Sequence, residues 1–275
     1  MLALSPAELA ALLYADVPYG DLTSHNLGLG AKPGAITFAA RDPMCCCAVE
    51  EAAAILELAG VRVERHAASG DWLQPGDAIL SGLGPAAALF AGWKCAQTLI
   101  ESCSGIATVA AAMVDAANGI AVGCTRKHFP GNKALAAKAV VAGGAIMHRL
   151  GLSESLLLTA EHRVFMNAQQ LADTVQQMRR RQPEKPLVVE VETVREALAL
   201  LELGVEFLQL EKLSPTEVAE VVAAARHYHC RVAVAGGVNL ATIAGYAAVN
   251  PDLLVTSAPF FAPPRDVQVR FSAMA

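Results

Sequence analysis

Between Cys124 and Arg163 the chain concentrates cations: Arg126, Lys127, Lys133, Lys138, Arg149 and Arg163 against only Glu154 and Glu161, a local net charge of +4. The whole chain carries −5, so the residues outside that stretch sum to −9. Three of the seven histidines, His128, His148 and His162, fall in the same interval. A basic island in an acidic protein is the arrangement that holds a small anionic ligand. The bland alternative is a solvated basic face, and the glycine clusters beside the charges weigh against it. Arg offers phosphate or carboxylate oxygens a planar fork, and Lys offers a point charge. Farther along stand Glu190 and Glu192, then Glu211-Lys212, then Gly236-Gly237, then Ser257-Ala258. Carboxylates bind sugar hydroxyls or share a Mg²⁺ ion with a diphosphate. A Gly-Gly turn lets bare backbone N–H groups approach a phosphate at a positive helix end, although such pairs also serve ordinary tight turns.

These groups act together only if the fold delivers them to one place. From Ile120 onward, short apolar runs without alternation recur at Ile120–Cys124, Leu156–Thr159, Leu187–Val191, Glu206–Leu210, Arg231–Ala235 and Leu253–Thr256. Helical patterns separate them at Lys133–Ala142, Ala168–Arg180, Val194–Leu203, Pro215–His227 and Leu240–Ala248. Strands buried on both faces and spaced by helices imply a parallel sheet. No dinucleotide fingerprint follows the first strand, which favours a closed or nearly closed barrel over an open doubly wound sheet. In such a barrel the functional groups sit at the C-terminal strand ends. Thr125-Arg126-Lys127, Thr159, Glu190, Glu211, Gly236-Gly237 and Ser257 all fall there. Strand alternation turns Glu192 away from Glu190, so Glu190 is the pocket carboxylate. His162 reads equally as a structural hydrogen-bonder or a ligand. Lys133 and Lys138 read as solvated helix residues, with Lys133 near enough to a helix start to reach phosphate. Cations on one side of a mouth and carboxylates on the other suit a sugar bearing both a phosphate and a pyrophosphate.

The first hundred residues mix strands and helices without strict alternation, as in an α+β module. Ser5-Pro6-Ala7-Glu8 has the form of a capping box, predicting a helix to about Tyr14. Strands are expected at Ala35–Arg41, Val61–His66 and Ala78–Ser81, and a helix at Val49–Ala59. An Ala-rich helical region follows Pro85 to about Ala117, with an interruption expected near Ser104-Gly105. The tail Asp266–Phe271, after a proline-rich stretch, is expected to return to this module as a strand. The division is therefore 1–108 plus the tail 264–275, and 109–263. Hydrophobic residues are 54% and charged residues 17%, which excludes disorder. The uncharged run Val232–Pro251 is broken by glycines and by Asn250-Pro251, so a soluble strand, turn and helix fits it better than a membrane span. No signal-peptide pattern opens the chain. Seven cysteines without a C-x-x-C pair suit a reducing cytoplasm, where Cys packs as a small hydrophobe. The expectation is a cytoplasmic protein with no membrane or nucleic-acid partner.

Several segments then resemble one family. Thr125-Arg126-Lys127, Pro130-Gly131, Lys138-Ala139-Val140 through Gly143-Gly144 and His148-Arg149-Leu150-Gly151-Leu152-Ser153 are similar to quinolinate phosphoribosyltransferase, also called nicotinate-nucleotide pyrophosphorylase. Ser104-Gly105-Ile106-Ala107-Thr108 resembles its signature ahead of the barrel, and Asp21-Leu22-Thr23 its N-terminal loop. Asp16–Asp21, Glu161-His162-Arg163 and Ser257-Ala258-Pro259 look most like the ModD branch, associated with molybdenum transport.

The resemblance implies an N-terminal α/β sandwich, a seven-stranded α/β barrel of the type II phosphoribosyltransferase kind, and a homodimer, or a higher homo-oligomer, with shared active sites. It implies transfer of phosphoribose from phosphoribosyl pyrophosphate (PRPP) to the nitrogen of a carboxylated heterocycle such as quinolinate, with Mg²⁺, pyrophosphate release and decarboxylation. Carried over by position, Arg126, Lys127, His148 and Arg149 bind carboxylate or phosphate, Glu190 and Glu211 serve the ribose and the metal, and Gly236-Gly237 take the 5′-phosphate. Lys127, Glu190 and Glu211 are the expected catalytic residues, with Thr159, Ser102 and Ser257 in substrate binding. The family's pattern has Arg at Ser102, Lys at Thr159, Asp at Glu211 and Ser at Ala235. Each missing cation removes charge-assisted bonds of about 1.5–3 kcal/mol, so the acceptor half departs further than the phosphoribose half. Two other readings stand beside the transferase. One is a non-catalytic oxyanion binder linked to molybdenum transport, and the other is a barrel aldolase with a Schiff base on Lys127 or Lys212.

Overall fold

The computed structural model describes residues 3–274. In chain order the elements are α1 (Pro6–Asp16), α2 (Leu22–Asn26), β1 (Pro33–Ala40), β2 (Met44–Cys45), α3 (Val49–Leu58), β3 (Arg62–Arg65), β4 (Trp72–Leu73), β5 (Ala78–Pro85) and α4 (Ala86–Ala116). Next come β6 (Ala121–Cys124), α5 (Lys133–Ala142), β7 (Ile146–Met147), β8 (Leu156–Leu158), α6 (Ala160–Arg163), α7 (Ala168–Arg181) and β9 (Leu187–Val191). The chain ends with α8 (Val194–Glu202), β10 (Phe207–Glu211), α9 (Pro215–His227), β11 (Arg231–Ala235), α10 (Ile243–Ala247), β12 (Leu253–Thr256) and β13 (Val267–Ala273). Two compact units result: one of Met1–Ala111, His128–Gly144 and Pro259–Ala275, the other of Ala112–Lys127 and Ala145–Ala258.

In the first unit an antiparallel sheet runs in the order β13-β1-β5-β3. The tail strand β13 pairs with β1, Val269 opposite Phe38 and Val267 opposite Ala40. Ile36, Phe38, Ile55, Leu56, Ile79, Leu80, Leu89 and Ile100 form its fully buried core. The Ser5 and Glu8 side chains make the reciprocal capping box that starts α1.

The expected break at Ser104-Gly105 does not occur, because α4 runs unbroken from Ala86 to Ala116. Gly105 serves close approach instead: a Cβ there would lie 2.3 Å from the Pro263 carbonyl oxygen. Its neighbours hold the cysteine segment. The Cys47 N–H donates to Ser104 Oγ at 2.9 Å, the Cys45 N–H donates to Thr108 Oγ1 at 3.0 Å, and Thr108 in turn donates to the Ser104 carbonyl. Cys45, Cys46 and Cys47 are all buried and free. α4 is the one helix among the described residues long and apolar enough to cross a bilayer. Its Leu89, Ala96 and Ile100 instead pack in the first unit's core.

Lys138 corrects a second expectation. Far from being solvated, its amine sits 2.8 Å from Glu50 Oε2 and 2.6 Å from the wholly buried Glu51. Burial alone would raise the Glu50 carboxyl, but donation from Lys138 and Ser69 outweighs it and holds the group down at about 2.

The second unit is a seven-stranded, all-parallel α/β half-barrel sheet in the order β7-β6-β12-β11-β10-β9-β8. Its strands are near-continuous apolar runs, Leu253–Thr256 being buried at every position, as strands covered on both faces require. Thr193 caps α8, and Ser214 with Glu217 boxes α9 behind Pro215. The strand β7 is only Ile146-Met147, too short to stand out as a strand, which is why the strand pattern in the sequence omits it.

Candidate active site

The C-terminal strand ends surround a cavity of about 580 Å³ within the second unit. Arg126 and Lys127 follow β6, His148 and Arg149 follow β7, and Thr159 follows β8. Glu190 and Glu211 come from β9 and β10, Gly236-Gly237 follow β11, and Ser257 follows β12. All of these line the cavity. Ser102 does not: it lines a separate cavity of about 400 Å³ in the first unit, beside Cys103, Ile106 and Asn132.

The basic island divides. Arg126, Lys127 and Arg149 line the mouth, whereas Lys133 and Lys138 belong to the first unit and Arg163 pairs with Glu196 at 3.2 Å. His162 is turned back on its own helix start, its Nδ1 accepting from the Thr159 N–H at 3.1 Å with the Thr159 hydroxyl at 2.8 Å. Of its two readings the structural one describes this geometry. Glu192, set aside by strand alternation, also lines the cavity. β9 ends at Val191, so alternation no longer governs the next residue. Gln209 and Glu161 line it too. The sequence names Glu161 only in the basic stretch and within the ModD-like Glu161-His162-Arg163 segment, with no site role, and Gln209 is not singled out because an isolated Gln within an apolar strand carries no motif.

Electrostatics couples the cations and carboxylates of the cavity. Burial lowers His148, and the adjacent Arg149 lowers it further, which favours the neutral imidazole as a hydrogen-bonding group over the cation. Arg149 is itself lowered by burial and by Arg126, with Glu190 opposing. Glu211 is raised by burial and by the like charge of Glu190, against the pull of Lys212 and Lys127. The Lys212 amine lies 3.7 Å from Glu211.

The glycine pair is demanded by geometry. Gly236 and Gly237 both have φ of +80°, and a Cβ on Gly236 would meet Lys212 Cγ at 2.6 Å and Glu211 Oε1 at 2.8 Å. A Cβ on Gly237 would meet nothing within 4 Å, which leaves its backbone open to a ligand. The expected positive helix end is not beside them. Thr242 Oγ1 and Asn239 Nδ2 both donate to the Gly237 carbonyl, forming turns that delay α10 to Ile243.

Glu190 and Glu211, at the ends of the neighbouring strands β9 and β10, are the carboxylates that would hold a Mg²⁺ ion. No group of three or more His, Cys, Asp or Glu able to cage a metal occurs among the described residues. Mg²⁺ commonly takes one or two carboxylates and completes its shell with water and substrate phosphates.

Residues 21–104 match the N-terminal domain of quinolinate phosphoribosyl transferase and residues 106–270 its C-terminal domain. ModD of Rhodobacter capsulatus is 46% identical over 89% of this chain and 96% of its own length. A nicotinate-nucleotide pyrophosphorylase (carboxylating) of Mycobacterium leprae is 29% identical over 90% of this chain and 89% of its own. Among solved structures, NadC from Streptococcus pyogenes superposes with a TM-score of 0.90 over the full length of both chains, at 22% identity. Sequence, domain match and fold therefore lead to one conclusion: the chain belongs to the quinolinate phosphoribosyl transferase family.

Proposed function

We propose that the protein is a pentosyltransferase of the nicotinate-nucleotide diphosphorylase (carboxylating) type, moving phosphoribose from PRPP to the ring nitrogen of a pyridine carboxylate. The observation that carries this reading is one cavity lined together by Arg126, Lys127 and Arg149, by Glu190 and Glu211, and by the bare Gly237 backbone. The nitrogen lone pair attacks C1 of the sugar as the C1–O bond breaks and pyrophosphate leaves with that electron pair. On a 2-carboxylated ring, carbon dioxide then departs and the ring carbon takes a proton. Glu190 and Glu211 face the cationic sugar that develops between bond breaking and bond making, where fixed negative charge lowers the barrier. Arg126, Lys127 and Arg149 hold phosphate and carboxylate oxygens. Gly236 and Gly237 serve the 5′-phosphate, and Thr159 and Ser257 add hydroxyls. When bound through Glu190 and Glu211, Mg²⁺ supplies positive charge to the pyrophosphate.

A neutral Thr159 supports an acceptor no more acidic than quinolinate. We also read the protein as a cytoplasmic homodimer in which Ser102 serves the partner's site. Tyr19, Leu22, Leu27 and Phe129, all exposed on the first unit, support that assembly. The test is Mg²⁺-dependent pyrophosphate release from PRPP with a panel of pyridine carboxylates. Release with one acceptor upholds the reading. No release with any acceptor, together with molybdate binding, replaces it with an oxyanion carrier, and borohydride trapping of a sugar phosphate on Lys127 or Lys212 replaces it with an aldolase.

A further inference from the structure

Gln209 is a polar side chain in an apolar strand, flanked by the fully buried Leu208 and Leu210 and itself only 5% exposed. It lies directly opposite Glu190 in the β10–β9 register. Its Nε2 donates to Glu190 Oε2 at 2.7 Å, while the Ala160 N–H approaches Glu190 Oε1 at 3.4 Å from the start of α6. Each oxygen of the carboxylate is thus tied to a different neighbour. The amide orientation follows from the same contact, since a flipped Gln209 would set its carbonyl against a carboxylate. In the observed orientation Gln209 Oε1 is buried with no hydrogen-bond partner. A buried carbonyl without a donor lowers stability, so a side chain kept here for packing alone would be apolar.

Resting on the transferase reading above, we propose that Gln209 is a positioning residue. It anchors the Glu190 carboxylate in the orientation that meets the sugar and its Mg²⁺, at the expense of its own unsatisfied carbonyl. Glu190 approaches the ligand from a strand end and has no salt-bridge partner among the described ion pairs, so without the amide only the long Ala160 N–H contact at 3.4 Å orients it. Partners that orient a ligating carboxylate typically matter by about 10–100-fold in affinity.

The test uses full-length protein carrying Gln209→Met, Glu190→Gln or both. The readouts are calorimetric binding of Mg²⁺ with PRPP, melting temperature, and kcat and KM wherever turnover occurs. Positioning predicts that Q209M binds Mg²⁺–PRPP about 10–100-fold more weakly and melts at the same or a higher temperature. It also predicts that Q209M adds no further loss in the E190Q background. Equal binding by Q209M and wild type overturns the proposal while leaving the transferase reading intact. A Q209M melting temperature several degrees lower also overturns it, because Gln209 would then be a structural cross-link between β9 and β10. If wild-type protein binds no Mg²⁺–PRPP at all, the transferase reading falls and this proposal falls with it.

Discussion

Arg126 and His148 line the same cavity but act through different physics. Arg126 offers a charge-assisted fork, whereas His148 is kept neutral by burial and Arg149. Replacing Arg126 by Ala should weaken PRPP or acceptor binding by about 10–150-fold, and His148→Ala by only about 3–10-fold. Both variants should keep the wild-type melting temperature, as calorimetry and thermal denaturation would show; a large drop in melting temperature would make these core residues. The His148 contribution should also hold constant from pH 7 to pH 8.5, since an imidazole already neutral has no proton to lose. The glycine pair allows a finer contrast. Both residues share φ of +80°, but only Gly236 lacks room for a methyl group. Gly237→Ala should therefore destabilise the fold by about 1 kcal/mol. Gly236→Ala should cost more than that and also displace Lys212 and Glu211, lowering PRPP affinity. Equal melting temperatures for the two would remove the steric argument.

Among elements, the instructive case is the pairing of α3 with α5 through Lys138, Glu50 and Glu51. Lys138 lies in the block that resembles the family and was read as a surface cation. A helix of Ala, Leu and Val with only Lys133 and Lys138 as polar residues does not announce which lysine faces a buried acid. Lys138→Met leaves Glu51 buried without its cation and should destabilise by about 3–5 kcal/mol in urea unfolding. The linkage is also directional. Glu50 falls from its ordinary 4.5 to about 2 in the folded chain, so its contribution is complete above pH 4.5 and is lost as pH drops towards 2. Wild-type melting temperature should fall steeply over that window, and Lys138→Met should flatten the slope. Strand ends were easier to read. Glu190, Glu211 and Gly236 were found because five-residue strands rich in Val, Leu and Ala mark where each loop begins. β7, two residues long, left no such mark, so His148 and Arg149 were noticed as part of the basic stretch but given a substrate role only through their family-like motif. Gln209 went unread because the same apolar strand pattern that located Glu211 hid a polar residue inside it.

At the scale of the whole molecule, half-barrel connectivity explains why a negative protein can hold anions. Parallel strands bring Arg126, Arg149 and Gly237 together from far apart in the chain, and the acidic surplus is spread elsewhere. What the sequence did not reveal is the intermixing of segments: His128–Gly144, which includes the helix expected between two barrel strands, groups with the N-terminal residues. Local periodicity reports that a helix is amphipathic, not which sheet it covers. The buried thiols carry a practical corollary. Six of the seven cysteines are buried, Cys45, Cys46, Cys47 and Cys103 in the first unit and Cys124 and Cys230 in the second, with Cys95 alone partly exposed. A thiol-reactive dye should therefore tag one position promptly in native protein, and peptide mapping of slower tags would time the opening of each unit separately. The chain is thus supplied with its own site-resolved stopwatch for unfolding, with no engineered label.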